Sequence, residues 1–146
     1  MLIKNASILL GKELDFISNT DIKIQDQRFK RIQPNLGTSA KEESIDWEGL
    51  LLIKGFVNCH THIGDSIAKD VTLNSSVDKR IHPVSGAKPI ILKNTNKEYL
   101  ASFMKNSCHS MLNKGITTFV DFREGGIEGV LLLKQVLSEL PLRSFI

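Results

Sequence analysis

The sequence has few cysteines, no basic run and no long apolar stretch, and each shortage argues against a class of protein. Its 146 residues include two cysteines, Cys59 and Cys108, which is too few for a disulfide framework. No apolar stretch reaches the roughly 18 residues of a membrane-spanning helix. The 19 basic and 16 acidic residues are interspersed, unlike a surface that follows a phosphate backbone. We therefore expect no binding to nucleic acid or to a membrane.

The overall composition is that of a folded domain. Hydrophobic residues make up 41% of the chain and charged residues 24%, which is typical of globular proteins. The first residues run directly into a strand-like pattern, without the basic and apolar regions of a secretory signal peptide. Together with the low cysteine content, this pattern predicts a cytoplasmic location.

The first 54 residues contain short runs that are typical of β-strands. Residues 21–24 alternate polar and apolar side chains, which indicates a half-buried strand. A polar turn over residues 25–28 joins this run to the next one, so the two predict a hairpin. Residues 34–43 form a polar loop. The complete set of predicted strand runs is 2–10, 14–18, 21–24, 29–32, 45–47 and 50–53.

From Gly55 onwards, strands and helices alternate. The first helix starts at a capping-box pattern, Thr95 with Glu98, and stops at Gly115, which tolerates the left-handed conformation at a helix end. This alternation predicts a parallel sheet built from right-handed β-α-β units. The predicted order is a strand at 56–62, a long loop at 63–94, a helix at 95–115, a strand at 116–122, a helix at 127–140 and a strand at 143–146.

His60 and His62 are the clearest candidates for a metal site. On a strand, residues two positions apart point to the same face, so the two imidazoles are expected to lie side by side. Catalytic zinc is typically held by three protein ligands and a water molecule. A His-x-His pair alone is weak evidence for a metal site, however, because two partly exposed histidines that bind no metal would give the same sequence pattern.

The surrounding residues resemble those of a known superfamily. The segment Gly55-Phe56-Val57-Asn58-Cys59-His60-Thr61-His62 resembles the first barrel strand of the amidohydrolase superfamily. The run Gly115-Ile116-Thr117-Thr118-Phe119-Val120-Asp121-Phe122 is similar to the second barrel strand of its deaminase-like members. Arg123-Glu124-Gly125-Gly126 continues a pattern of the cytosine-deaminase-like and chlorohydrolase-like branch. The strands upstream look like the β-sandwich segment that leads into the barrel.

This resemblance implies an α/β fold: the start of a (β/α)8 TIM-type barrel preceded by a partial β-sandwich segment. The implied domains are residues 1–54 for the sandwich segment and 55–146 for the first β-α units. The implied metal ligands are His60 and His62. The other ligands and the catalytic residues of such proteins follow later strands, so we expect them beyond residue 146. Because a complete barrel needs about 250 residues, we expect the chain to be truncated.

The activity that the resemblance implies is hydrolysis of carbon–nitrogen bonds that are not peptide bonds, by deamination of a cyclic amidine or nucleobase-like small molecule. The implied cofactor is a divalent metal, Zn²⁺ with Fe²⁺ as the alternative, since imidazole suits both. Two further hypotheses remain. The chain is one part of a split enzyme completed by a C-terminal partner chain, or it is a non-catalytic binding or assembly module that has lost the chemistry. The expected protein partner is a complementing C-terminal chain or a second copy in a homo-oligomer.

Three residues are candidates for substrate binding. Asp121 lies near the carboxyl end of a predicted parallel strand, where barrel active sites form. It either orients a ligand or caps the turn together with Arg123. Arg123, together with Glu124, either lines the mouth of the site or forms a local ion pair. His82, in the long loop, either reaches the substrate or is a solvated loop histidine.

Four other residues have a simpler expected role. Lys88 is expected to be a surface lysine, although it could neutralise an anionic substrate. Asp65, Asp121 or a neighbouring residue could be recruited as a third metal ligand. Cys59 is expected to face the helix layer, away from the metal, and to pack there. Cys108 is also expected to have a packing role.

Overall fold

The computed structural model describes residues 1–39 and 42–146. The chain divides into two compact units, Met1–Lys54 and Gly55–Ile146. Each unit has its own cluster of buried apolar side chains. The two units are therefore described separately.

The first unit is a five-stranded sheet. Strand β1 lies in its middle and pairs with β2 antiparallel and with β4 and β5 parallel, while β3 pairs antiparallel with β2. The core contains Ile3, Ala6, Ile8 and Ile22. The strands are β1 (Leu2–Leu10), β2 (Asp15–Gln25), β3 (Arg28–Gln33), β4 (Ser44–Asp46) and β5 (Leu51–Leu52).

Strand β2 differs from the sequence prediction, which divided it into two runs at 14–18 and 21–24. The polar residues between these runs interrupt the alternation of side chains, but the backbone continues as one strand. The pairing of β1 with β2 absorbs the interruption through irregularities on either side of Ala6. Asn19 has a positive φ of 48° at this point. Of the predicted polar loop 34–43, residues 40 and 41 lie outside the described residues.

The second unit is built on three parallel strands in the order β6-β7-β8. The prediction of a parallel sheet from β-α-β units is confirmed. The described residues form an open sheet of three strands and do not close a barrel. The elements are β6 (Phe56–Thr61), a 3₁₀ helix (Ile63–Ala68), α1 (Val77–Ile81), α2 (Ala87–Asn94), α3 (Lys97–Asn113), β7 (Ile116–Asp121), α4 (Gly126–Leu137) and β8 (Arg143–Phe145).

The prediction that residues 63–94 form a long loop is wrong. The segment contains the 3₁₀ helix, α1 and α2, which its low content of apolar residues did not indicate. Local polar contacts support these short helices. The Ser76 hydroxyl accepts a hydrogen bond from the Lys79 amide at 3.4 Å at the start of α1.

The N-cap of helix α3 lies one residue later than predicted. Asn96, not Thr95, is its N-cap, and its side chain accepts a hydrogen bond from the Tyr99 amide at 2.7 Å. The Thr95 hydroxyl instead donates to the Ile91 carbonyl of α2. The predicted stop at Gly115 is confirmed by its positive φ of 76°. Helix α4 ends at Leu137, three residues before the predicted boundary at 140.

The core of the second unit lies between β7 and the helices that flank it. Phe119 of β7 is fully buried, and Cys108 packs in this core as predicted. Cys59 is exposed, so its predicted packing role is wrong. The reason is that β6 is an outer strand of the three-stranded sheet. Within the described ranges, none of the helices has the length and apolar character required to span a lipid bilayer.

Candidate metal centre

The two candidate histidines lie together at the carboxyl end of β6. His60 is in the strand, and His62 is the first residue after it. Their Nε2 atoms are 3.2 Å apart, so both rings point to the same side of the backbone. Phe122, which follows the neighbouring strand β7, stacks on His60 with ring centroids 4.5 Å apart. The parallel register of β6 and β7 brings these side chains to one edge of the sheet.

The other ring nitrogen of His62 faces a carboxylate. His62 Nδ1 lies 2.8 Å from Glu124 Oε1. An ionised carboxylate only accepts hydrogen bonds, so Nδ1 carries the proton and donates it. In the neutral ring, this leaves the lone pair of Nε2 directed towards His60.

A lysine completes the cluster around Glu124. The Lys88 ammonium lies 2.8 Å from Asp65 Oδ2 and also contacts Glu124 Oε1 closely. The Lys88 side chain is 19% exposed. The expectation of a solvated surface lysine is therefore wrong, because α2 carries Lys88 inwards between two carboxylates.

The charges of this cluster change the ionisation of its members. Burial alone would raise the pKa of Glu124, but hydrogen bonds from Lys88 and His62 outweigh it and hold this pKa below its usual value. Burial raises the pKa of Asp65, although the bond from Lys88 opposes the change. Burial would lower the pKa of Lys88, but its bonds to the two carboxylates raise it. Lys88 is therefore fully charged at neutral pH.

Asp121 and Arg123 form a buried layer next to the cluster. Asp121 Oδ1 accepts a hydrogen bond from the Ile63 amide at 2.7 Å and lies 2.9 Å from the Thr61 hydroxyl. Arg123 Nη1 lies 3.4 Å from Asp121 Oδ2, and Arg123 Nη2 lies 3.3 Å from Glu124 Oε2. Both side chains are almost completely buried. The local ion pair considered for Arg123 is present.

Two glycines leave the space that this arrangement requires. A Cβ atom at Gly64 would lie 1.6 Å from Arg123 Nη2, inside the guanidinium group. A Cβ atom at Gly129, in α4, would lie 2.0 Å from the Glu124 carbonyl oxygen. Because that oxygen belongs to the backbone, a side chain at position 129 would displace the turn that carries Glu124.

The ring of His82 forms its hydrogen bonds within its own segment of the chain and not with the cluster around Glu124. It is a half-buried residue at the end of α1, and its Nδ1 accepts hydrogen bonds from the amides of Val84 and Ser85 at 3.3 and 3.2 Å. Substrate binding by Asp121, Arg123 and His82 stays a prediction.

The donor set around His62 offers a metal ion two alternative positions. One uses the Nε2 atoms of His60 and His62, whose separation of 3.2 Å is close to the roughly 3.3 Å between two nitrogens of a tetrahedral zinc ion. The other uses His62, Asp65 and Glu124, whose ligand atoms lie within 4.8 Å of one another. At the second position the Lys88 ammonium already neutralises the carboxylates. The histidine pair therefore fits a metal better.

A cavity of about 260 Å³ adjoins this edge of the sheet. His62, Asp65 and Lys88 line one part of it, and Arg80 of α1 lines another. This volume lies just below the range of about 300–1,000 Å³ that is typical of small-molecule sites. The segment 63–94 thus forms part of the wall of a recess that contains His62.

The sequence interpretation did not identify Glu124 as a partner of His62, or Lys88 as a partner of Glu124. For Glu124 a signal was present, because it follows β7 as His62 follows β6, and neighbouring parallel strands end at one edge of a sheet. For Lys88 there was no such signal. Its position depends on how α2 folds back over the sheet.

Comparison with known proteins identifies the family. Residues 51–146 match the sequence profile of the Amidohydrolase family. The chain belongs to the amidohydrolase family. This match includes both histidines and Glu124, and it confirms the resemblance seen in the sequence.

Two archaeal relatives of this amidohydrolase chain have names that specify an activity. A putative aminohydrolase of Methanothermobacter thermautotrophicus is 36% identical over 146 residues, covering 100% of this chain and 37% of the relative. A 5'-deoxyadenosine deaminase of Methanothrix thermoacetophila is 29% identical, covering 90% of this chain and 33% of the relative. The chain thus spans about a third of the length of these relatives.

Solved structures show the same fold. A variant of atrazine chlorohydrolase from Arthrobacter aurescens, complexed with zinc and atraton, superimposes with a TM-score of 0.80 at 15% identity, covering 98% of this chain and 34% of that one. The same enzyme complexed with zinc gives a TM-score of 0.74 over the same shares. The predicted fold class is confirmed: the chain has the fold of about a third of an amidohydrolase.

Proposed function

We propose that this chain is the metal-binding portion of a hydrolase that acts on carbon–nitrogen bonds, and that the reaction is deamination of a cyclic amidine or nucleobase-like compound. The observation that carries the proposal is the pair of Nε2 atoms 3.2 Å apart at the carboxyl end of a parallel strand. Membership of the amidohydrolase family, whose members depend on a metal, supports it.

His60 and His62 would hold the metal, for which zinc is our first choice and iron the alternative. A bound divalent metal in such a site lowers the pKa of a water molecule to about 7 and supplies a nucleophile at neutral pH. Phe122 covers one face of the His60 ring and limits its rotation. Glu124 does the same for His62 through the Nδ1 hydrogen bond.

The substrate class rests on the relatives. Several of them are named deaminases of adenosine derivatives, among them the 5'-deoxyadenosine deaminase and 5-methylthioadenosine/S-adenosylhomocysteine deaminases from Thermococcus species. An aminated heterocycle is a flat molecule that the recess beside His62 would accommodate. The proposed substrate is therefore a small molecule bearing an exocyclic amine on a ring.

Catalysis is proposed for this chain only together with the remaining two thirds of the fold. Two histidines supply fewer than the three protein ligands that a catalytic zinc site normally uses. A complementing C-terminal segment or chain is the proposed source of the other ligands, and assembly with copies of itself is the alternative. We propose a cytoplasmic location, in keeping with a small soluble substrate.

A chimera tests the proposal. Residues 1–146 would replace the matching part of the Methanothrix 5'-deoxyadenosine deaminase, whose own activity is the positive control. We expect the zinc-loaded chimera to release ammonia from 5'-deoxyadenosine or another aminated heterocycle. The His60→Ala and His62→Ala variants should lose at least 100-fold in rate, because each removes a metal ligand.

The matched control is His109→Ala, which removes an exposed histidine of α3 and should leave the rate unchanged. Cooperative urea unfolding would verify that every chimera is folded. A folded, zinc-loaded chimera that releases no ammonia from a panel of aminated purines, pyrimidines and triazines would contradict the proposal. Full activity in His60→Ala would contradict it as well.

A further inference from the structure

We infer that Glu124 is a positioning residue for His62: it holds the proton on Nδ1, so that Nε2 is available as a metal ligand. The inference rests on the proposed function in so far as it takes His60 and His62 as the ligand pair. It adds Glu124, which follows strand β7, as a residue that acts on the ligand pair. It also adds Lys88 and Arg123, which hold Glu124 in place.

The contact between Glu124 and His62 determines which ring nitrogen carries the proton. Glu124 Oε1 lies 2.8 Å from Nδ1, and the opposite ring atom, Nε2, faces His60. A carboxylate that accepts the Nδ1 proton fixes both the tautomer and the rotation of the ring. Without it, a neutral imidazole exchanges its proton between the two nitrogens and presents a lone pair at Nε2 for only part of the time.

Glu124 is itself held at each of its polar side-chain atoms. Its Oε1 atom contacts the Lys88 ammonium, and its Oε2 atom lies 3.3 Å from Arg123 Nη2. Arg123 Nε also donates to the Glu124 backbone carbonyl at 2.9 Å. These donors come from α2 and from the residue before Glu124. The carboxylate therefore has little freedom to turn away from His62.

The same contacts argue against Glu124 as a direct metal ligand. The Lys88 ammonium lies between Glu124 and Asp65, where it supplies the positive charge that both carboxylates need. A cation bound there would have to displace this ammonium. If it used Nδ1 of His62 as its ligand, it would also have to displace the proton on that atom. At the histidine pair, neither displacement is necessary.

The experiment uses the metal-free 146-residue chain with ¹⁵N-labelled histidine. Nuclear magnetic resonance at a pH well above the ordinary histidine pKa of about 6.5 identifies the tautomer of each ring. We expect the Nδ1–H tautomer for His62 in the wild type and in Glu124→Gln, since the amide oxygen still accepts. In Glu124→Ala we expect a mixture of tautomers.

Zinc affinity, measured by competition with a chromophoric chelator, is the second measurement. We expect Glu124→Ala to weaken zinc binding by about 10- to 100-fold, as is usual when the partner of a histidine ligand is lost. Glu124→Gln should lie between this variant and the wild type. The matched control is Glu128→Ala, an exposed glutamate that pairs with Lys97 on the surface, and it should change neither measurement.

The outcomes separate this inference from the proposed function. An Nε2–H tautomer of His62 in the wild-type chain would overturn the inference, and this result needs no variant to fold. Unchanged zinc affinity in a folded Glu124→Ala chain would overturn it too. Zinc binding that is lost in Asp65→Ala but kept in His60→Ala would place the metal among the carboxylates and refute the inference. Zinc binding unaffected by both His60→Ala and His62→Ala would refute the proposed function instead.

Discussion

Each unit of the molecule buries one aspartate, and the two aspartates are held in different ways. In the first unit, Asp21 accepts hydrogen bonds from the backbone amides of Asn5 and Leu36 at 3.0 and 2.8 Å. In the second unit, Asp121 accepts from the Ile63 amide and faces the Arg123 guanidinium. Asp21 is 3% exposed and Asp121 is 4% exposed. Burial is therefore the same, and only the partners differ.

The difference shows what a buried carboxylate does in each unit. Asp21 ties a polar loop to the sheet through the Leu36 amide, and among the described residues no cation pairs with it. Asp121 ties the start of the 3₁₀ helix to the sheet edge and also holds Arg123, which in turn contacts Glu124. Asp21 thus binds only backbone amides. Asp121 binds a backbone amide and also the Arg123 side chain, which contacts Glu124 of the candidate metal centre.

The largest expected effect is that of Asp121→Asn. It removes the charge of one of the two carboxylates that pair with the buried guanidinium of Arg123, so we expect a loss of about 3 kcal/mol in the free energy of unfolding of the second unit. Urea unfolding followed by far-ultraviolet circular dichroism measures it, because all the described helices belong to this unit. A loss below about 1 kcal/mol would mean that the ion pair contributes little.

Asp21→Asn should have a smaller effect, about 1.5 kcal/mol in the first unit, because it weakens two hydrogen bonds to a charged acceptor without leaving a cation buried. Trp47, the single tryptophan, lies in this unit, so its fluorescence follows the unfolding selectively. Asp26→Asn, on the exposed turn between β2 and β3, is the matched control and should change little. Equal losses in the free energy of unfolding for Asp21→Asn and Asp121→Asn would contradict the difference that we infer between the two buried aspartates.

The smallest effect concerns the thiol of Cys108. Burial, and then the negative charge of Asp121, raises the pKa of this thiol to about 11. In a Cys59→Ser, Tyr99→Phe background, where no phenol titrates in the same range, thiolate absorbance against pH reports Cys108 alone. We expect Asp121→Asn to shift this titration to lower pH and Asp21→Asn to leave it in place. Circular dichroism at each pH verifies that the fold persists, and an unshifted titration in Asp121→Asn would contradict the charge effect.

The parts of the fold that the sequence predicted are those determined by local patterns. The alternation of strands and helices after Gly55, the helix stop at Gly115 and the same-side placement of His60 and His62 all follow from the spacing of residues along the chain. The resemblance around Gly55–His62 then predicted the fold class, which the comparisons confirm.

The rest depended on contacts between distant residues. Lys88 and Glu124 are separated by 36 positions, and only the folding of α2 over the sheet edge brings them together. The helices within 63–94 have few apolar anchors, so a pattern search assigns them to a loop. Cys59 was predicted to pack against the helix layer, but its strand β6 lies at the outer side of the three-stranded sheet and the residue is exposed.

Gly129 has a consequence for reading other sequences. The space beside the Glu124 carbonyl admits a hydrogen atom and no methyl group. Homologues that retain both the glutamate and this geometry should thus have glycine at the aligned position of α4, and an alanine there would mark proteins whose turn follows another path. A single column of a future alignment would then reveal, without any further structure, how widely this carboxylate–imidazole pairing is shared.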